Sequence, residues 1–254
     1  MKEALKNRLL DAGLYYKINA FRFRNDPRNI AQKAFYANLI GKDDLVFDVG
    51  ANVGQRAELF SQLAGRVIAF EPQADCVRHL KSRFRMRDNV TIEQIALSDR
   101  EGEALFYESS SHTLSSMSRK FINTVSKERF KEHHWDEEIK VKTTTLDRMI
   151  AIYGRPKFIK IDVEGFEASV FGGLTETVPY ISFEYTPELI GEANACVRRI
   201  NKISERYVYN YCYGEDLNFV LKKHADYVSF STTVLSVLGQ QDQFGDIYAI
   251  LSHG

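Results

Sequence analysis

The sequence is poor in cysteine and has neither a long apolar run nor an excess of one charge. Its three cysteines, Cys76, Cys196 and Cys212, are widely spaced, which argues against a disulfide framework or a cysteine zinc site and favours a reducing cytoplasm. No segment approaches the roughly 18 apolar residues of a membrane-spanning helix, and no signal peptide is recognisable. The 34 basic and 34 acidic residues cancel, so no overall field attracts nucleic acid. We therefore expect a cytoplasmic protein with no transmembrane segment and no nucleic-acid partner.

Short apolar runs alternate with helix-forming segments along most of the 254 residues. Runs typical of buried strands occur at 45–49, 66–70, 90–97, 103–108, 140–144, 158–162, 180–184, 207–213 and 246–251. This alternation predicts an α/β domain with a doubly wound, mostly parallel sheet covered by helices on both faces. The last two strands are expected to form an antiparallel edge. Residues 1–43 predict a helical N-terminal extension, followed by one domain at 44–254.

The first strong strand ends in a glycine-rich turn, whose sequence is Asp48-Val49-Gly50-Ala51-Asn52-Val53-Gly54. In a doubly wound sheet, ligands bind beyond the carboxyl ends of the strands, where the strand order reverses. Gly50 and Gly54 allow a tight turn and a close approach of a ligand to the backbone. The N–H groups that start the next helix suit a carboxylate, whereas Asp48 suits an ammonium group. The turn therefore predicts a site for a nucleoside cofactor with an amino-acid tail.

Glu71 ends the second strand, 17 residues after Gly54. A carboxylate in this position accepts hydrogen bonds from ribose hydroxyls and disfavours a 2′-phosphate. A dinucleotide loop requires Gly-x-Gly-x-x-Gly, but counting from Gly50 puts Asn52 and Gln55 where its second and third glycines belong. The turn is therefore a poor match to an NAD loop.

Five segments, read together, resemble the FkbM family of methyltransferases: 46–54, 70–72, 96–99, 145–147 and 159–167. The resemblance covers roughly residues 44–186, and the Lys-Ile-Asp-Val-Glu-Gly-x-Glu block at 160–167 is its most specific element. It implies a class I methyltransferase fold, which is Rossmann-like with a seven-stranded sheet, and S-adenosylmethionine as methyl donor. Known members mostly methylate hydroxyl groups of sugars, polyketides or other secondary metabolites. The resemblance therefore implies O-methylation of a small-molecule or glycan acceptor.

The resemblance also implies roles for individual residues, by position. The glycine loop would surround the methionine part of the cofactor, Glu71 would hold the ribose, and Ala96 and Leu97 would lie against the adenine. Asp162 and Glu164 would face the transferring methyl group. The residues predicted to bind the cofactor are Asp48, Gly50, Ala51, Asn52, Gly54, Glu71, Pro72, Ala96, Leu97 and Asp162.

Carboxylates follow the strand at 158–162, namely Asp162, Glu164 and Glu167. A hydroxyl acceptor must lose a proton during methyl transfer, and clustered like charges raise one pKa and help to make a base. The same oxygens suit a divalent cation. We predict Asp162 and Glu164 as catalytic residues, leave the metal ion open, and expect Glu167 to cap or pair on the next helix. Glu184, at the end of the following strand, is expected to point toward the same pocket.

Three histidines, His112, His133 and His134, lie between the third and fourth core strands. Each is a candidate base or metal ligand, although surface histidines are the commoner outcome. We single out His134 as a candidate catalytic residue, because the His133-His134-Trp135 segment would suit a lid over the acceptor.

Other functions stay open at this point. A nucleic-acid methyltransferase would use the basic N-terminal segment and the basic helix near 78–87, but Asp-Val-Glu-Gly stands where an Asn-Pro-Pro-Tyr-like motif would be expected. A dehydrogenase or epimerase would bind NAD. A non-catalytic binding module would keep the fold without turnover, although such a module has less need of both Asp162 and Glu71.

Overall fold

A computed structural model of the protein describes residues 23, 25–109, 115–126, 132, 134–135 and 137–252. Most of the predicted N-terminal extension and the candidates His112 and His133 lie outside the described residues.

The described helices and strands follow one another in an alternating order. They are α1 (Pro27–Tyr36), β1 (Leu45–Val49), α2 (Gln55–Phe60), β2 (Arg66–Phe70), α3 (Ala74–Arg83), β3 (Val90–Glu93), β4 (Ala96–Leu97), β5 (Gly102–Glu108), α4 (Arg119–Val125), β6 (Glu137–Thr144), α5 (Leu146–Tyr153), β7 (Phe158–Ile161), α6 (Glu167–Gly172), β8 (Tyr180–Tyr185), a 3-10 turn (Pro187–Leu189), α7 (Ile190–Ile203), β9 (Tyr207–Tyr213), α8 (Tyr227–Ser229), a π-helical turn (Phe230–Val234), α9 (Leu235–Leu238) and β10 (Gly245–Leu251).

Within the described part of the chain, seven strands form the main sheet in the order β3-β2-β1-β7-β8-β10-β9. β1 pairs in parallel with both β2 and β7, whereas β10 pairs antiparallel with β8 and β9. The chain proceeds from β1 through β2 to β3 on one side and returns to β7 on the other, so the strand order reverses between β1 and β7. The predicted doubly wound, mostly parallel, seven-stranded sheet with an antiparallel edge is confirmed.

The strand predicted at 90–97 is wrong as a single element. β3 ends at Glu93, and the Ile95 N–H donates to the Glu93 carbonyl at 3.0 Å, which closes a tight turn. This turn ends the pairing with β2 and redirects Ala96 and Leu97 to β6. β4 therefore belongs to a second sheet in the order β4-β6-β5, and this sheet carries the predicted adenine-contacting residues toward the ends of the main strands.

Helix α1 packs directly on the main sheet. Asp26 caps it by accepting the Arg28 N–H at 2.8 Å, so the helix begins at Pro27. Tyr36 is fully buried and meets Phe60 and Phe158 in edge-to-face contacts. The helical part of the N-terminal region thus shares one core with β1 and α2.

All three cysteines are free and buried. Over the described ranges, no helix has the length and apolar character needed to cross a membrane.

Candidate active site

A cavity of about 220 Å³ opens beyond the carboxyl ends of β1 and β7, where the strand order reverses. A second cavity, beside Glu184, measures about 10 Å³, which is hardly space for one water molecule. Position and size therefore make the first cavity the candidate ligand site. The predicted cofactor residues that line it are Asp48, Gly50, Ala51, Asn52, Glu71, Pro72, Ala96, Leu97 and Asp162.

Gly50 lies where the loops after β1 and β7 come into contact. Its φ is 80°, and a Cβ atom there would lie 1.8 Å from the Asp162 carbonyl oxygen. The N–H groups of Gly50 and Ala51 both donate to the Phe70 carbonyl at 3.0 Å. The loop is thus held between two neighbouring strand ends, and only glycine fits at its first turn.

Gly54 does not line the cavity, and its contact with the cofactor stays a prediction. Its φ is 82°, and a Cβ atom would lie 2.7 Å from Leu80 Cδ2 and 2.8 Å from Phe84 Cε2. Arg83 of α3 also donates to the Gly54 carbonyl at 2.7 Å. This glycine therefore allows α3 to pack closely against the loop, a role that its spacing in the sequence did not distinguish from ligand contact.

Glu71 lies against the glycine loop. Its Oε2 accepts the Asn52 N–H at 2.8 Å, and its Oε1 accepts the Gln73 N–H at 2.9 Å. Burial raises the pKa of Glu71 to about 7, although these hydrogen bonds act to lower it. Each carboxylate oxygen can accept a further hydrogen bond, so two neighbouring hydroxyl groups would find acceptors here.

Asp48 supplies a second buried carboxylate to the cavity. It is 2% exposed, and its Oδ2 has no hydrogen-bond partner among the described residues. Burial raises the pKa of Asp48 to about 7, opposed by the nearby charges of Lys160 and Arg56. A buried oxygen without a partner is costly unless a donor reaches it. The site therefore fits a ligand that brings an ammonium group.

Lys160 holds the middle of the acidic site together. Its ammonium group lies 2.9 Å from Asp246 Oδ1 and 3.2 Å from Asp162 Oδ2, and its side chain is 2% exposed. Burial acts to lower the pKa of Lys160, but Asp162 and Asp246 outweigh burial and raise it. The ion pair with Lys160 fixes the position of Asp162.

Asp162, Glu164 and Glu184 form one acidic cluster, in which one carboxylate oxygen from each residue lies within 4.8 Å of the other two. Burial, followed by the charge of Asp162, raises the pKa values of Glu164 and Glu184 well above the usual range. Glu164 has a φ of 53°, which is uncommon for a residue other than glycine. Such local strain is found where a side chain must be presented in a fixed direction.

Neighbouring residues hold Glu164 in that conformation. The Ser116 hydroxyl donates to the Glu164 carbonyl at 2.6 Å. Glu167 Oε1 accepts the N–H groups of Val163 and Gly165 at 3.1 and 3.3 Å, and its pKa is raised to about 7, mainly by burial. Glu167 thus orders the loop before α6, whereas its expected capping or pairing on that helix stays a prediction.

His134 is exposed and does not line the cavity. The adjacent Trp135 packs against Phe121 and Leu189 in a small separate cluster. A catalytic role for His134 therefore stays a prediction without structural support.

The site also contains residues that the sequence analysis missed, namely Arg56, Glu215 and Asp246. Arg56 lies two residues after Gly54, so its place on the first turn of α2 was a signal that could have been used. Glu215 and Asp246 come from the β9 and β10 ends, far away along the chain. Only the sheet order brings them to β1 and β7.

Three basic residues in or just after helix α3 have internal partners. Arg83 donates to the Gly54 carbonyl, Arg87 pairs with Glu58 at 2.7 Å, and Arg78 pairs with Asp75 at 3.0 Å. These internal partners reduce the positive potential that binding of a nucleic-acid backbone would require.

The strand order and the cavity at the β1–β7 reversal define a class I, Rossmann-like methyltransferase fold. A family model described as "Methyltransferase FkbM domain" matches residues 48–222. The chain belongs to this family, and the resemblance seen in the sequence motifs is confirmed.

Two curated relatives share part of the chain. The 2-O-methyltransferase NoeI of Sinorhizobium fredii is 29% identical over 157 residues, which are 57% of this chain and 63% of NoeI. The hexuronic acid methyltransferase AglP of Haloferax volcanii is 28% identical over 148 residues, 56% of this chain and 54% of AglP. The chain thus spans less than two thirds of either relative.

A solved structure shares the fold. The crystal structure of the FkbM methyltransferase from Methylobacillus flagellatus KT matches with a TM-score of 0.51 at 14% identity. The match covers 84% of this chain and 47% of that chain.

Proposed function

We propose that this protein is an S-adenosylmethionine-dependent O-methyltransferase that acts on a hydroxyl group of a sugar or glycan. The observation that carries the proposal is the pair of buried carboxylates, Asp48 and Glu71, on either side of the glycine loop. Asp48 has an oxygen that finds no partner within the described ranges and suits an ammonium group. Glu71 is held 2.8 Å from a loop N–H, where it suits ribose hydroxyls. The two groups match the two polar ends of the methyl donor.

The cavity offers matching contacts for the rest of the cofactor. Ala96, Leu97 and Phe106 supply an apolar wall suited to an adenine ring. When bound, S-adenosylmethionine supplies a methyl group on an already activated sulfonium, so much of the catalysis can be positioning. The chain must then align the acceptor oxygen and remove its proton.

Glu164 is the proposed general base, and Asp162 positions the acceptor beside it. The raised pKa of Glu164 makes its ionised form a stronger base than an ordinary carboxylate. Asp162 is tied to Lys160 at 3.2 Å, which leaves its other oxygen for the acceptor. With the cofactor bound as methyl donor, Glu164 would take the proton of the acceptor hydroxyl, and Asp162 would hold the acceptor oxygen in place.

The acceptor class is supported by the chemistry of the cluster and by the relatives. A sugar hydroxyl is weakly acidic and needs a base, which the carboxylates provide. The names of NoeI and AglP describe a 2-O-methyltransferase and a hexuronic acid methyltransferase, and both fit a hydroxyl-bearing acceptor.

Equilibrium binding of S-adenosylhomocysteine, the demethylated cofactor, tests the cofactor site. We expect measurable binding by titration calorimetry, and we expect Glu71→Leu to weaken it by roughly tenfold to a hundredfold, as for loss of hydrogen bonds to a charged group. Glu103→Gln on β5 is the matched control, because Glu103 is exposed and outside the cavity. Absence of binding by the unaltered protein at millimolar ligand would refute the proposed function.

The affinity for S-adenosylhomocysteine should also depend on pH. The pKa of Asp48 is about 7 in the ligand-free protein, so its ionised fraction rises as the pH rises through that value. Because an ammonium group prefers the ionised form, affinity should increase about tenfold from pH 6 to pH 8. Calorimetry at pH 6, 7 and 8 measures this change. In Asp48→Asn, the part of the pH dependence that comes from ionisation of Asp48 should be absent. A pH-independent affinity would contradict the assignment of the ammonium group to Asp48.

A further inference from the structure

Arg56 is held at the edge of the cavity by two side chains from distant parts of the chain. Its Nη1 donates to Gln32 Oε1 of α1, and its Nη2 donates to Glu215 Oε2, each at 2.5 Å. Gln32 Nε2 in turn donates to Glu215 Oε2 at 3.1 Å. Arg56 and Glu215 both line the cavity, so this network lies at the candidate ligand site.

The two members of the ion pair differ in burial. The side chain of Arg56 is 19% exposed, whereas that of Glu215 is 51% exposed. Gln32 is buried and supports the pair from behind. An ion pair with a half-exposed partner contributes only about 0–1 kcal/mol, so a ligand carboxylate could replace Glu215 at little cost while Arg56 stays in place.

The cationic side chains that line the cavity indicate where a ligand carboxylate would bind. Among the described lining residues, the side-chain cations are Arg56 and Lys160. Lys160 is already bound between Asp162 and Asp246. Arg56 instead has the half-exposed Glu215 as its carboxylate partner, and its planar guanidinium suits a ligand carboxylate.

Arg56 lines the same cavity as Asp48. Its positive charge is among those that lower the pKa of Asp48. The donor's amino-acid tail is a zwitterion whose ammonium and carboxylate groups share one carbon atom. Asp48 and Arg56 therefore offer opposite charges to the two ends of that tail.

We propose that Arg56 binds the carboxylate of the cofactor's amino-acid tail, and that Glu215 occupies this position in the ligand-free protein as an internal competitor. The proposal rests on the proposed function, because it assigns one group of the same cofactor. It adds a consequence that the fold class does not imply, namely that removing a carboxylate from the site improves cofactor binding.

Two ligands that differ in one group test this proposal. S-adenosylhomocysteine carries the carboxylate, and decarboxylated S-adenosylhomocysteine lacks it but keeps the ammonium group. We expect Arg56→Gln to lower the affinity for S-adenosylhomocysteine by roughly tenfold to a hundredfold, as for loss of a charged hydrogen bond. The affinity for the decarboxylated ligand should change by no more than about twofold. Glu215→Gln should raise the affinity for S-adenosylhomocysteine by up to about fivefold, which corresponds to the free energy of a half-exposed ion pair. It should not change the affinity for the decarboxylated ligand.

Arg87→Gln is the matched control, because Arg87 also pairs with a glutamate at 2.7 Å but does not line the cavity. It should leave both affinities unchanged. Arg56→Lys keeps the charge, and its affinity for S-adenosylhomocysteine should lie between those of the unaltered protein and Arg56→Gln. Binding of the decarboxylated ligand shows that each variant retains a folded nucleoside site.

Three outcomes would overturn the proposal. If Arg56→Gln weakened the binding of both ligands equally, Arg56 would be a structural residue. If it weakened the binding of neither ligand, Arg56 would not contact the carboxylate of the tail. A loss of S-adenosylhomocysteine affinity in Glu215→Gln would make Glu215 a contact and not a competitor. All three differ from failure of the proposed function, in which the unaltered protein would bind neither ligand.

Discussion

Glu164→Gln is expected to lower the rate of methyl transfer by about 10²–10⁴-fold, the range found when a general base is removed, with little change in cofactor affinity. The glutamine keeps the size of the side chain and the left-handed backbone at this position, where φ is 53°. It cannot accept the acceptor's proton. The effect should therefore fall on kcat, and the affinity for S-adenosylhomocysteine should stay within about threefold, well below the loss of one charged hydrogen bond.

The assay begins with a mass-spectrometric screen of monosaccharides, hexuronic acids and glycan extracts for the gain of one methyl group. Single-turnover rates are then measured with the acceptor that gains it. Glu138→Gln is a suitable control, because Glu138 is an exposed residue of β6 outside the cavity lining. If the turnover rate of Glu164→Gln were unchanged, Glu164 would not be the general base.

The same assay tests whether the acidic cluster uses a divalent cation. Asp162, Glu164 and Glu184 have the close oxygen geometry that a cation would need. In the proposed mechanism the cluster transfers a proton, so EDTA should leave the rate unchanged and Mg²⁺ should not raise it. Loss of activity in EDTA, restored by Mg²⁺, would show that the carboxylates act as metal ligands instead.

The sequence contained most of the cofactor side of the site because that side is local in the chain. The glycine loop and Glu71 each directly follow a buried strand, and parallel strands bring their carboxyl ends to one edge. Spacing therefore indicated their neighbourhood, and Asn52 and Glu71 are indeed hydrogen bonded at 2.8 Å. Spacing could not distinguish the roles of the two glycines. Gly50 contacts the loop after β7, whereas Gly54 contacts α3.

The remainder of the site was harder to predict because it is assembled from distant segments. Asp246 reaches Lys160 only because β10 inserts between β8 and β9. Glu215 reaches Arg56 from the turn after β9. Neither contact follows from a local pattern, whereas Lys160, Asp162 and Glu164 could be selected since they share one motif.

Gly50→Ala is expected to weaken S-adenosylhomocysteine binding more than a hundredfold, whereas Gly54→Ala should mainly reduce stability. A Cβ at Gly50 would lie 1.8 Å from the Asp162 carbonyl oxygen, so the β1 and β7 loops must separate where the ligand binds. In addition, a left-handed residue with a side chain costs roughly 1–2 kcal/mol. The separation of the two loops acts on the cavity itself, and a hundredfold change in affinity corresponds to roughly 2.7 kcal/mol.

Gly54→Ala is the matched comparison, since Gly54 has the same left-handed backbone, with a φ of 82° against 80° for Gly50. Its Cβ would meet the side chains of Leu80 and Phe84 at 2.7 and 2.8 Å, and both can shift. We expect a loss of about 1–3 kcal/mol in the free energy of unfolding, typical of overpacking. Urea denaturation measures this loss, and calorimetry on the protein that remains folded should give a nearly normal affinity. If the two variants behaved alike in both measurements, contact between the β1 and β7 loops would not be what shapes the cofactor site.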